Sequence, residues 1–346
     1  MKVHLFNPEN DLALAADTRR YTPPRAALAV KRAGALLPLW WADDDDIVLA
    51  DDFDSGELQR LRDYGLKATV ASAVHTVDID SAEPWGWSRD AVRQLSEAGV
   101  PADILPGDTT LERYRMLSHR RTALRLRQML GESDADLPVE AHTSAEAMQA
   151  IRSFGGDAYI KQPWSGSGRG VFHTTQLSAE TLRRYIEGFL RAQGSVMVER
   201  ARPKITDFAM LYHASDSGTV DFRGYSAFST DARGAYQGNI VAPQTVLQQI
   251  IGVDARHLEI PVAEALSQII SGTGYSGWIG VDMLTYSAPS GELLIQPSVE
   301  INFRRTMGVA ALEIRHRLDT LSACGKRKGA DPRVPSLNPR LFRFLD

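Results

Sequence analysis

The chain of 346 residues is predicted to be an α/β protein, with a parallel-sheet domain first and a larger sheet toward the C-terminus. Three stretches predict this. Over residues 1–105 short apolar runs alternate with helical patterns, which is how parallel strands joined by crossover helices read. Residues 157–171, DAYIKQPWSGSGRGV, read as a strand followed by a glycine-rich loop. Residues 278–308 read as a β-hairpin that feeds a helix.

Val3 to Phe6 form the first strand, which ends in the polar loop Asn7-Pro-Glu-Asn-Asp11. In parallel sheets ligands bind beyond the carboxyl ends of strands. Asn7, Glu9, Asn10 and Asp11 are therefore candidates for substrate contact, beside their simpler role of building the turn. Residues 25–34 read as a helix ending at Gly34, and Glu57 to Asp63 as another. Leu36 to Trp41, Ile47 to Ala50 and Leu66 to Ala71 read as strands. The four acids Asp43 to Asp46 read as a solvated turn. Trp85, Gly86, Pro101 and Pro106-Gly107 mark residues 85–105 as a boundary.

Leu111 to Leu130 are a helical stretch ending at Gly131, with Ser118 a candidate N-cap, Leu124, Met129 and Leu130 an inward stripe and the arginines mostly on a solvated face. Residues 136–195 read as a small subdomain, with helices at 144–152 and 178–193 flanking the Lys161 strand and its loop. Glycines let a backbone approach a phosphate closely, and successive N–H groups form an anion nest. A strand lysine just before such a loop adds a cation. Val196-Met-Val-Glu199 is an apolar strand. Phe208 to His213 and Thr219 to Ser226 read as strands, and Pro261 to Ser271 as a helix. Thr306 is placed to cap a helix from Met307 to Leu318. The Pro, Lys and Arg-rich tail from Lys326 reads as a surface strap.

The hairpin carries the chemistry. Side chains alternate between the two faces of a strand. Ile279, Val281 and Met283 thus oppose Gly280, Asp282 and Leu284. On the return strand, Val299, Ile301 and Phe303 oppose Ser298, Glu300, Asn302 and Arg304. Asp282, Glu300 and the amide oxygen of Asn302 are hard ligands on adjacent strands, suited to Mg²⁺ held together with phosphates. Arg304 adds a fixed cation beside them. The simpler reading is a half-solvated sheet face.

Composition narrows the classes. Apolar residues at 43% and charged residues at 24% are those of an ordinary globular chain. A formal net charge of −4 argues against a general nucleic-acid binder. The single cysteine, Cys324, allows neither an internal disulfide nor a cysteine zinc site, which fits a reducing, cytoplasmic setting. No apolar run reaches the length of about 18 residues that a membrane span needs, and the N-terminus lacks a signal-peptide pattern. No Gly-x-x-x-x-Gly-Lys-Ser/Thr run occurs, so no P-loop is present. Lys161 precedes its glycine loop, whereas the order in protein kinases is the reverse.

Lys161, the loop from Ser165 to Gly170, Val196-Met-Val-Glu199, Asp282 and Glu300-Ile-Asn302-Phe-Arg304, in that order, resemble the ATP-grasp superfamily of carboxylate–amine ligases. The resemblance spans residues 110–315. It implies an N-terminal α/β domain (1–107), a lid subdomain (108–197) and a C-terminal subdomain (198–346), with nucleotide held between the last two. It implies ATP and Mg²⁺ as cofactors. Lys161 with Gly166, Ser167, Gly168, Arg169 and Gly170 would hold phosphates. Glu199, Arg200 and Ala201 would edge the adenine, and Asp207 would meet the ribose. Asp282, Glu300 and Asn302 would hold the metal. Lys161 and Arg304 would be catalytic, Arg304 by steadying the acceptor carboxylate. The Ser-Asp-Lys that usually opens the lid helix is Ser118-His119-Arg120 here, so Arg120 or Arg121 would replace the usual lysine. D-alanine–D-alanine ligase has an arginine two residues before its Asp. Gly280 stands there, with Arg305 and Arg169 as possible substitutes. The implied activity is ATP-dependent joining of a small-molecule or peptide carboxylate to an amine, or to a thiol, through an acyl phosphate. A phosphotransferase acting on a hydroxyl and a nucleotide-binding protein without turnover are the alternatives.

Overall fold

The computed structural model describes residues 1–75, 78–166, 170–230, 236–323 and 342–345. Ser167, Gly168 and Arg169 of the glycine loop, Cys324 and residues 325–341 of the tail lie outside the described residues. The described end of the tail, Phe342–Phe344, is not a surface strap but a strand at the edge of the third sheet, with Phe342 buried.

The N-terminal part runs β1 (Lys2–Leu5), α1 (Asn10–Ala16), α2 (Arg25–Ala33), β2 (Ile47–Leu49), α3 (Ser55–Asp63), β3 (Thr69–Ala71), β4 (Ser81–Pro84) and α4 (Arg89–Glu97). Its four strands form a parallel sheet in the order β3-β2-β1-β4, as expected from the alternation. Three local expectations are corrected. Leu36 to Trp41 is no strand: Leu37–Trp40 is one turn of 3₁₀ helix. Pro38 cannot donate to a ladder, and all four residues of the turn are buried. Asn10 and Asp11 are not loop residues but the first turn of α1. The boundary segment 85–105 is well packed and holds α4. Trp85 packs edge-on against Phe6 at 4.9 Å, and the Ser88 hydroxyl caps α4. Asp46 is not solvated like its three neighbours. It is buried, accepts from the Lys2 and Asp43 N–H groups, and lies 2.9 Å from His4 Nε2.

Next come α5 (Asp108–Leu117) and α6 (Arg121–Met129). The two helices are separated at Ser118-His119-Arg120. Ser118 does not cap α6. Its hydroxyl donates back to Tyr114 O at 3.0 Å, while Arg120 N–H leaves the helical ladder for Pro163 O at 3.1 Å. The small subdomain holds β5 (Val139–Ala141), α7 (Ser144–Ser153), β6 (Ala158–Lys161), β7 (Val171–His173), α8 (Ala179–Gln193) and β8 (Val196–Arg200). Its strands form an antiparallel sheet in the order β5-β8-β6-β7. Strand β8 carries this sheet on to Arg200. Ile151, Ile160, Ile186, Phe189 and Val198 are its core.

The third sheet contains β9 (Lys204–Ala214), β10 (Val220–Thr230), β11 (Tyr236–Val241), β12 (Gly277–Ser287), β13 (Leu293–Asn302) and β14 (Phe342–Phe344), in the order β13-β12-β9-β10-β11-β14. Helices α9 (Gln244–Ile251) and α10 (Glu259–Ile270) join α6 on one face, around Leu126, Met210, Tyr212, Leu247, Leu266, Ile279 and Val281. Helix α11 (Met307–Ala323) covers the other face. The Thr306 hydroxyl accepts from Val309 N–H at 3.2 Å, the cap that the sequence predicted. Val309 and Leu312 pack on β9, while Ala310, Ile314 and Leu318 pack on Phe6, Trp40 and Val48. One helix is therefore core to both the third sheet and the N-terminal domain. Among the described residues no helix is long and apolar enough to cross a membrane.

Arg305 closes the same seam. Its guanidinium pairs with Glu83 at 2.6 Å and lies over Trp41 at 4.8 Å, and its N–H donates to Trp85 O at 2.8 Å. Despite its burial, Glu83 is held down at about 2, by Arg305 first and then by Lys2 and His4. A depressed carboxylate contributes stability that is present above its unfolded value, about 4.3, and is lost as pH falls toward 2. Melting curves between pH 7 and pH 2 should therefore show wild type losing more stability than Glu83→Gln in that window. Parallel curves would remove the pair from the seam's energetics.

Candidate active site

Lys161 is the last residue of β6, and the chain returns at Gly170, whose carbonyl accepts from Gln162 N–H at 2.8 Å. Gly170 has φ +70°, and a Cβ there would collide with the Gln162 side chain. The loop thus needs glycine at its closing position. Lys161 is buried and its ammonium pairs with Glu199. Burial lowers the Lys161 pKa, which Glu199 opposes. Glu199 is also buried, yet stays below its ordinary value because Lys161 and Arg127 flank it. Arg127 Nη1 donates to it at 2.8 Å, and Gln296 Nε2 donates as well. Arg127 itself is 1% exposed and also binds Glu132 and Asp136 O. The solvated face expected for this arginine is corrected: a helix that packs on a sheet buries whichever side the sheet dictates.

The two hairpin carboxylates are direct cross-strand partners, Asp282 opposite Glu300. Burial, and then the charge of Glu300, push Asp282 up to about 7. A hard divalent cation between two such oxygens would reverse that shift, so the pair fits Mg²⁺. Asn302 lies on the same face, but its Nδ2 donates to Asp282 at 3.1 Å and its Oδ1 accepts from Arg304 Nη2 at 2.8 Å. Its oxygen would have to leave Arg304 to join a metal.

Two further side chains come in from elsewhere. Arg120, 6% exposed, reaches Glu300 Oε1 at 3.0 Å, Ser165 Oγ at 3.1 Å and Gln162 O at 3.1 Å. Arg121 turns away, to Glu140 at 2.7 Å. Of the two arginines, Arg120 is the one at the site. Arg304 is pinned by Asp11 of α1, Nε to Oδ1 at 2.7 Å and Nη2 to Oδ2 at 2.5 Å. Asp11 also underlies the glycine loop, since a Cβ on Gly166 would come 2.9 Å from its Oδ2. Asp11, Ser118, Trp164, Ser165, Glu300 and Asn302 line one narrow cleft open to solvent.

Some candidates stand apart from this cluster. Asp207 on β9 holds Lys204 Nζ at 2.6 Å and the Thr230 hydroxyl at 2.7 Å. Arg200 packs over Phe154 at 5.0 Å, and Ala201 N–H donates to Asp157 O at 3.1 Å. Arg305 is committed to the seam with Glu83, so it does not take the place of an arginine at position 280. Sequence reasoning missed Gln296 and Arg127. Gln296 was readable, lying on the strand face of Ser298, Glu300 and Asn302 at spacing two. Arg127 gave no signal of its own.

No protein-family model matches the chain, and no curated protein sequence matches it. Among solved structures it is similar to N5-carboxyaminoimidazole synthetase from Staphylococcus aureus complexed with ADP, at 14% identity, over 88% of this chain and 70% of that one, with a TM-score of 0.45. It is similar to biotin carboxylase from Campylobacter jejuni, at 14% identity, over 92% and 70%, with a TM-score of 0.49. It is also similar to D-alanyl-alanine synthetase A from Vibrio cholerae, at 11% identity, over 93% and 99%, with a TM-score of 0.48.

Proposed function

We propose that the protein is an ATP-dependent ligase of the ATP-grasp kind, which joins a carboxylate to an amine, or to a thiol, through an acyl phosphate. One observation carries this reading. Arg120 ties the root of the glycine-rich segment that follows Lys161 to Glu300, the cross-strand partner of Asp282, and Arg304 lies beside Asn302 on the same strand face. That is a place to hold a polyphosphate beside a metal and a second anion.

A carboxylate is a poor electrophile because its leaving group would be oxide. Transfer of the ATP γ-phosphoryl group to a carboxylate oxygen releases ADP and gives an acyl phosphate. The amine then attacks the acyl carbon, phosphate leaves, and the amine's proton passes to solvent. Positioning and charge neutralisation supply the rate. In this reading Lys161 and the loop N–H groups hold the phosphates, and Arg120 adds a second cation to them. Asp282 and Glu300 would hold Mg²⁺, which would neutralise charge on the transferring group. Arg304 steadies the acceptor carboxylate. Glu199 to Ala201 would edge the adenine, and Asp207 would meet the ribose.

The test is a phosphate-release screen with Mg-ATP against pools of amino acids and other carboxylates, with amines and thiols as second substrates. Phosphate freed only when both substrates are present is the expected result. Phosphate retained on a hydroxyl product would make the protein a phosphotransferase instead. A bound ATP analogue is also expected to slow amide hydrogen exchange over residues 163–171, since a loop that wraps phosphates must open for exchange. Unchanged exchange there would take the loop out of the nucleotide site.

A further inference from the structure

Arg120 touches both halves of the cleft at once. Its N–H is pinned to Pro163 O at 3.1 Å, its Nε to Gln162 O at 3.1 Å, and its Nη2 to Ser165 Oγ at 3.1 Å. All three partners lie at the root of the glycine loop. The same Nη2 lies 3.0 Å from Glu300 Oε1. This explains why α5 and α6 do not run on as one helix here: Arg120 gives its backbone and its side chain to the loop root.

A guanidinium is planar, with donors in a fixed fork. It cannot keep hydrogen-bond distance to both Ser165 and Glu300 once the loop moves by more than about an ångström. A divalent cation on Glu300 would meet Arg120 at close range, and the two positive charges repel. Phosphate oxygens in the loop would compete with Glu300 for the same guanidinium, in a geometry that arginine favours.

We propose that Arg120 couples the loop to the metal carboxylate: it holds Glu300 against metal until phosphates engage the loop, so that a divalent cation binds tightly only together with nucleotide. The proposal rests on the reading of Asp282 and Glu300 as metal ligands. It orders the events in the cleft, nucleotide phosphates before, or together with, the metal.

The probe is Mn²⁺ alone, counted as free ion by electron paramagnetic resonance in the absence of nucleotide. Arg120→Gln is expected to bind Mn²⁺ about tenfold more tightly than wild type, within the usual range of coupling between sites. Ser165→Ala, which loosens the arginine but keeps its charge, should give a smaller gain. In wild type, saturating Mn²⁺ should speed amide hydrogen exchange at residues 162–166, because displaced Arg120 releases the loop root. A folded Arg120→Gln that binds Mn²⁺ as wild type does would overturn the coupling and leave the metal site standing. Absence of Mn²⁺ binding in wild type, Arg120→Gln and Glu300→Gln alike would overturn the metal reading and the proposal together. If Arg120→Gln does not fold, Ser165→Ala and the exchange measurement decide, and no change in either sinks the idea.

Discussion

Replacing Glu300 with glutamine is expected to cut ATP-dependent product formation at least about a hundredfold, the scale on which one preorganised charge acts at a reacting centre, with little change in melting temperature. The geometry gives both halves of that result. Gln keeps the size and hydrogen-bonding capacity of the side chain but removes one charge from the pair that would hold the metal. For stability the effects oppose one another. Loss of the charge relieves Asp282, whose carboxyl Glu300 pushes upward. It also weakens the 3.0 Å pair with Arg120. The net change should stay within about 1 kcal/mol, below the scale of cavity or unpaired-charge mutations. The measurement combines melting curves with product formation across a Mg²⁺ titration. Turnover like that of wild type at limiting Mg²⁺ would remove Glu300 from the metal site, and the ligase reading would lose its main support.

Lys161→Ala is expected to act on both binding and fold. Mg-ATP affinity should fall by about a hundredfold, or roughly 2.7 kcal/mol, because the strand cation beside the loop is gone. Stability should fall as well, by about 1–3 kcal/mol, the cost of leaving a buried group short of its partner. Glu199 is buried and loses its nearest ammonium, although Arg127 and Gln296 remain to hold it. Lys161→Arg keeps the charge and should restore more of the stability than of the affinity, because a planar fork does not reproduce an ammonium's position. Calorimetry and chemical denaturation separate the two effects. Unchanged ATP affinity in a folded Lys161→Ala would exclude the lysine from the phosphate site.

Some of this was legible in the chain. The alternation at Ile279, Val281 and Met283 placed the apolar face of β12, and spacing two put Asp282, Glu300 and Asn302 on the other. Antiparallel pairing then set Asp282 against Glu300. The Thr306 cap, the Lys161 strand and the parallel N-terminal sheet were readable for the same reason. Each depends on a period or a cap that neighbours in sequence impose by themselves.

Tertiary structure decided what those side chains touch. Asp11 and Arg304 are 293 positions apart, and no local pattern in either segment announces the other. Arg120 and Arg121 were equal candidates for the place of the usual lysine. Only the approach of Pro163 O and Ser165 drew Arg120 out of the helical ladder and aimed its guanidinium at Glu300. Arg127 was read as solvated, but the packing of α6 buries it against Glu199. Helix α11 was readable as a helix of the C-terminal subdomain, yet its second face is core to the N-terminal domain. The physical reason is the same in each case. Periodicity fixes the face a residue occupies, because it follows from backbone geometry. Which charge meets which across the cleft follows from the docking of three separate sheets, and that depends on the packing of the whole chain.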